Sequence, residues 1–237
     1  MAANETSADR SSRGRSTFWT LIVAAWIALA GYAVLYVAPM EKTMGIIQRI
    51  FYFHVPSFWT AFIAIGVTTY SCIAYIATRS PKWDWLSVSS GEVGVLFLTI
   101  GLITGPIWAK PVWGVWWAWD ARTTSTFFLW AMYVTYLLLR TLLDEPGWRA
   151  LLSAVFGVFA CLVAPFVYFS IWWFRTQHPQ PVIGDGGYLD PTMGKVLLFC
   201  WGATLALYVL VVRERYQLEE LRAEVDGLRM EAERRGL

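Results

Sequence analysis

Long apolar stretches alternate with short charged ones along this chain. Six intervals contain no Asp, Glu, Lys or Arg: residues 18–40, 51–78, the interval between Glu92 and Lys110, 123–139, 150–174 and 196–212. About 20 consecutive apolar residues carry an α-helix across the roughly 30 Å hydrocarbon layer of a bilayer. A helix also satisfies every backbone N–H and C=O within its own segment, as lipid demands. The pattern therefore predicts an all-α integral membrane protein with six transmembrane helices. Three regions follow: an N-terminal tail (1–17), a six-helix domain (18–212) and a C-terminal tail (213–237). The first apolar run follows Arg10, Arg13 and Arg15 in the manner of a signal peptide. It is too long for a signal core and has no small-residue cleavage site, so it reads as an uncleaved first helix.

Composition agrees, since 57% of residues are hydrophobic and only 15% are charged. A soluble domain of this size would lack the polar cover its surface needs. The net charge of +2 gives no strong overall field toward nucleic acid or an acidic substrate. The distribution of charge is more informative. With the N-terminus inside, the inner segments hold thirteen Lys and Arg: Arg10, Arg13, Arg15, Arg79, Lys82, Arg140, Arg149 and six arginines after Val212. The outer segments hold six, Lys42, Arg49, Lys110, Arg122, Arg175 and Lys195. That bias predicts both termini in the cytoplasm. In the tail, Leu218, Leu221, Val225 and Leu228 form an apolar stripe on a charged sequence, which predicts an amphipathic helix, solvated or docked on a partner.

Candidate chemistry concentrates on the outer side. The three cysteines (Cys72, Cys161, Cys200) lie singly inside apolar runs, and C-x-x-C-H does not occur, which excludes covalent attachment of a c-type haem to this chain. They read as buried free thiols. There are only two histidines, His54 at the outer end of the second run and His178 in the loop after the fifth. Although 124 residues apart, they share a face for either inside–outside assignment, because an even number of crossings, the second to the fifth runs, separates them. Residues 108–119, WAKPVWGVWWAW, hold five of the fifteen tryptophans. Trp113, Trp116, Trp117 and Asp120 are spaced i, i+3, i+4, i+7, so a helix begun near Pro111 would put three indoles and a carboxylate on one side. A tryptophan cluster alone reads as a membrane-interface belt, and a lone histidine as a satisfied polar group. The coincidence of both on one face changes that balance, since the inner Trp19, Trp83, Trp85 and Trp148 are scattered.

A porphyrin fits this set. Two neutral imidazoles fill both axial positions of a haem iron, indoles give flat apolar area, and Arg122, Arg49 and Arg175 are candidates for the propionates. Gly114 would allow a close approach of the macrocycle or close packing. Asp120 is expected to hold Arg122 or an indole N–H, and Thr123 to Thr126 to cap the fourth helix.

The string WGVWWAWDAR (113–122) resembles the tryptophan-rich "WWD" signature of the haem-handling proteins of cytochrome c maturation. Six spans, about 240 residues, HVPSFW around His54 and the WW…H run ending at His178 are similar to the CcmC type, haem exporter protein C. The larger CcmF and CcsA carry more histidines and more spans or added regions. Residues 124 and 126–127 depart from that pattern, with Thr124 and Thr126-Phe127 where the family has Leu and Glu-Leu. The resemblance implies non-covalent haem b held at the periplasmic face of the bacterial inner membrane. It gives His54 and His178 the axial role, and Trp113, Gly114, Trp116, Trp117, Trp119 and Asp120 the cradle. It also implies delivery to a CcmE-like haem chaperone beside CcmA-, CcmB- and CcmD-like subunits, hence a transport protein and not an enzyme. The alternative in the same superfamily is a haem lyase that forms the thioether bonds. A cytochrome b-type electron carrier would need four histidines within the spans.

Overall fold

The computed structural model describes residues 7–178 and 189–236, with side chains from Ser16 onward. Among these residues there is no β-strand, only an isolated bridge between Glu41 and Gly45. The helices are α1 (Ser7–Tyr32, continued by a wider π turn, Ala33–Val37), α2 (Phe51–Thr78), α3 (Pro81–Trp113), α4 (Ala121–Leu142), α5 (Pro146–Cys161), α6 (Val163–Trp173) and α7 (Pro191–Arg234). A 3₁₀ turn, Ile46–Ile50, leads into α2. Six helical segments are long and apolar enough to cross a membrane, with α5 and α6 together making one of them. They break at Leu162 because Pro165 has no N–H for the carbonyl of Cys161.

Local chemistry sets the ends. Arg79 turns the chain in the left-handed conformation (φ 56°) and Pro81 opens α3. Carboxylates cap three N-termini: Asp120 accepts from Thr123 N, Glu145 from Gly147 N and Trp148 N, and Asp190 from Thr192 N and Met193 N. Helix α2 starts and stops where the apolar run does. The others overrun it: α3 begins at Pro81, well before Glu92, and α7 passes Val212 without a break.

The most intimate helix pair is α2 with α3, made possible by small residues. A Cβ on Gly94 would lie 3.1 Å from the Cβ of Ala64, and one on Gly101 would lie 2.5 Å from the ring of Phe58. The larger core includes Ile65, Phe97, Leu98, Leu129, Tyr133 and Tyr136, while Val34, Phe51, Tyr52 and Leu197 join α1, α2 and α7 in a second. Buried hydroxyls pair across helices, as in Ser87 with Tyr136 (3.0 Å) and Ser90 with Tyr208 (2.8 Å).

Charges also enter the bundle at the end remote from the histidines. Arg140 of α4 grips Asp84 of α3 with two hydrogen bonds of 2.6 and 2.8 Å, and both side chains are largely buried. Arg215 of α7 binds Glu92 of α3 in the same two-pronged way, at 2.5 and 2.8 Å. The first pair ties α3 to the next helix, and the second ties it to the last.

Candidate functional site

The expected helix through the tryptophan segment does not form. Gly114, at φ 79°, ends α3 in the left-handed conformation, its N–H bonded to Lys110 O and its carbonyl to Lys110 Nζ. Residues 114–120 run as irregular chain to the cap of α4. Pro111 accordingly sits in the last turn of α3 and not at a helix start. Glycine here serves the turn, and the space beside its α-carbon is open.

His54 lies in the first turn of α2 and is only 5% exposed. Its Nδ1 is 3.0 Å from Oγ1 of Thr104 on α3. The single hydroxyl proton of Thr104 goes to the carbonyl of Ile100 at 2.8 Å. The hydroxyl therefore accepts from the ring, so Nδ1 carries the imidazole proton and Nε2 keeps a free lone pair. Phe58 and Trp108 pack edge-on against the ring at 4.9 and 5.6 Å, and a Cβ on Gly105 would come within 3.3 Å of Cε1. The imidazole is held in place and in tautomer.

His178 stands five residues beyond the end of α6. Its ring centre is 6.4 Å from that of His54, with the planes 19° apart, and Trp113 meets it edge-on at 5.8 Å. Burial, then the positive charge of Arg122, push its pKa down from 6.5 to about 4 against the pull of Asp120, so the ring is uncharged at neutral pH. A separation of 6.4 Å suits one metal atom shared by two rings. Metal–imidazole bonds of about 2 Å each, plus roughly an ångström from each nitrogen to its ring centre, span that gap. Among the described residues no three His, Cys, Asp or Glu side chains cluster as a bare-ion site. A pair of neutral imidazoles matches an iron whose other four ligands come with its macrocycle.

Asp120 does not bind Arg122 or an indole, contrary to the sequence expectation. Its Oδ1 accepts from Thr123 N (2.9 Å) and Thr123 Oγ1 (2.8 Å), and its Oδ2 from Thr176 Oγ1 and from Gln177 N (3.1 Å). Burial alone would raise its pKa, but these hydrogen bonds prevail and hold the carboxyl below its usual range. The cap of α4 is thus Asp120 itself; the hydroxyls of Thr126 and Ser125 turn back to Arg122 O. Arg122 donates to Val167 O at 3.3 Å, joining α4 to α6. Arg49, in the turn before α2, buries Nε and Nη1 with no protein acceptor, and Trp108 Nε1 is likewise buried and unpaired. Arg175 is exposed.

The remaining tryptophans point elsewhere. Trp116 and Trp119 are 59% and 75% exposed. Trp117 meets Trp119 edge-on at 5.7 Å, and the two line an open apolar groove of about 390 Å³ with Ile103, Pro106, Phe127 and Trp130. The fold brings together His54, His178, Trp113, Asp120 and Arg122, while Trp116 is exposed and Trp117 and Trp119 line the groove.

Against known families, residues 2–231 match the model described as CcmC, Heme exporter protein C. The chain belongs to the CcmC family. Similar proteins include Heme exporter protein C of Bradyrhizobium diazoefficiens, 30% identical over 94% of this chain and 88% of the relative. That of Haemophilus influenzae is 29% identical over 79% of this chain and 77% of its own. A ccmC-like mitochondrial protein of cytochrome c biosynthesis from Arabidopsis thaliana is 32% identical over 81% and 76%.

Within this CcmC-family chain, sequence reasoning missed Thr104, Gly105, Phe58, Thr176 and Gln177. Thr104 lies 50 residues from His54 in an apolar run, and nothing local links them. A signal did exist at Asp120, an Asp before a helix with a Thr three places on, which is an N-cap pattern.

Proposed function

We propose that this chain binds one non-covalent haem b between His54 and His178 on the periplasmic side of a bacterial inner membrane. It then passes that haem to a CcmE-like chaperone for c-type cytochrome biogenesis, beside CcmA-, CcmB- and CcmD-like subunits. The observation that carries this reading is the pair of imidazole rings whose centres lie 6.4 Å apart. Six membrane-crossing segments and relatives named haem exporters support the location and the cargo. Haem is cargo in this reading, and the chain forms no covalent bond to it. His54 and His178 bind the iron. Arg49, whose buried N–H groups call for an anionic acceptor, and Arg122 take the propionates, with Arg175 at the margin. Trp113, beside His178, packs on the macrocycle; Gly114, Trp116, Trp117, Trp119 and Asp120 complete its surroundings.

Protein purified from haem-replete membranes is expected to show the spectrum of six-coordinate, bis-imidazole iron and to load a purified periplasmic chaperone. The Trp116→Ala/Trp117→Ala variant should lower that loading several-fold. Absence of haem absorption from the folded wild-type protein would sink the reading; unchanged loading in the double variant would remove the indoles from it.

The Thr104 hydroxyl gives a sharper expectation. Thr104→Val removes the acceptor that fixes the His54 tautomer, and outer-shell losses of this kind cost about 10- to 100-fold in metal affinity. Haem titration should show a drop near the lower end of that range, with Thr104→Ser close to wild type. Equal affinity in all three proteins would deny Thr104 this role.

A further inference from the structure

The two histidines are held in very different ways. His54 belongs to a membrane-crossing helix and is braced by Thr104 of the neighbouring one. His178 belongs to irregular chain beyond α6, and that chain is tied down by Asp120. The tie is a short relay. Gln177 N donates to Asp120 Oδ2 at 3.1 Å, and Thr176 Oγ1 donates to the same oxygen. Thr176 Oγ1 in turn accepts from His178 N at 3.1 Å. Asp120 Oδ1 is meanwhile fixed by the first turn of α4, through Thr123 N and Oγ1. One carboxylate thus bridges the tryptophan segment, the start of α4 and the backbone of His178.

We propose that Asp120 is a positioning residue: it latches the His178 segment in place, so that His178 is the exchangeable iron ligand and the side from which haem leaves, while His54 stays bound. Hydrogen bonds along such a relay polarise and strengthen one another, so loss of one weakens the next. Removing the acceptor at Asp120 therefore loosens the backbone of Gln177 and His178. Ligand exchange here breaks the bond from iron to His178 and makes one to the incoming ligand, with no change in oxidation state. The ligand assignment rests on the function proposed above; the latch itself does not.

Asp120→Asn separates the two tasks of the carboxylate. Asparagine caps helices as well as aspartate does, so α4 should persist. Its amide nitrogen, in place of Oδ2, cannot accept from Gln177 N or Thr176 Oγ1. Two measurements on the full-length protein follow. In the haem-free protein, amide deuterium exchange of residues 174–178 should be faster in Asp120→Asn and Thr176→Val than in wild type, and near wild type in Thr176→Ser. In the haem-loaded, ferrous protein, carbon monoxide should displace the sixth ligand faster in the same two variants, on the order of 10-fold. His54→Ala should not reproduce the exchange phenotype. Exchange and carbon monoxide rates equal to wild type in both folded variants would overturn the latch. Faster exchange in a protein that carries no haem would keep the latch and overturn the ligand reading. Faster exchange with an unchanged carbon monoxide rate would overturn the claim that His178 is the exchangeable ligand.

Discussion

Alanine at His54 is expected to abolish stable haem binding, and alanine at His178 to leave a weaker, five-coordinate complex. The difference follows from their settings. His54 is buried between Phe58, Trp108 and Thr104, on the helix pair that packs most closely. Its loss removes the ligand whose geometry the membrane-crossing helices enforce, and no external base easily reaches that space. His178 sits on a tethered stretch at the periphery, so its loss opens one axial position that added imidazole can fill. Both losses should exceed the about 10- to 100-fold typical of outer-shell changes. Absorption spectra and haem titrations of the two variants, each with and without imidazole, give the check. Wild-type spectra in both would refute the ligand pair, as would reporter fusions that place residues 54 and 178 on opposite sides of the membrane.

The second large effect lies at the far end of the bundle. Asp84→Ala leaves Arg140 buried without its carboxylate, and breaking a buried pair in this way costs about 3–5 kcal/mol. Arg140→Ala strands Asp84 similarly. The Asp84→Met/Arg140→Met variant removes both charges and should recover most of the loss, since packed apolar side chains can replace a buried pair at little or no cost. A double-mutant cycle on unfolding of the detergent-solubilised protein measures the coupling. Single variants as stable as wild type, or a double variant worse than both, would contradict the buried geometry of 2.6 and 2.8 Å. Haem binding at the opposite end should persist wherever the fold does.

The number of crossings was readable because lipid imposes a simple length rule, and α2 even shows its ends in the sequence. Where charges were treated as boundaries, the reading stopped short: Asp84 and Glu92 lie inside α3 because Arg140 and Arg215 meet them there. The tryptophan segment misled differently. Its indoles have helical spacing, but Gly114 ends α3 before that spacing can be used. Parity of the spans alone put the two histidines on one face; that their rings lie 6.4 Å apart is seen only in the folded chain. What holds them was not legible either, since Thr104 and Asp120 act across 50 and 56 residues through contacts that only the folded chain creates.

Helix α7 carries a mechanical implication. Its 44 residues form one rod of about 66 Å at 1.5 Å per residue, with no proline after Pro191. Arg215 clamps it to Glu92 partway along, so the rod has a fulcrum. Packing against α1, α2 and α3 holds the apolar part of the rod, so residues beyond Arg215 extend from the bundle as a continuous helical arm, largely exposed.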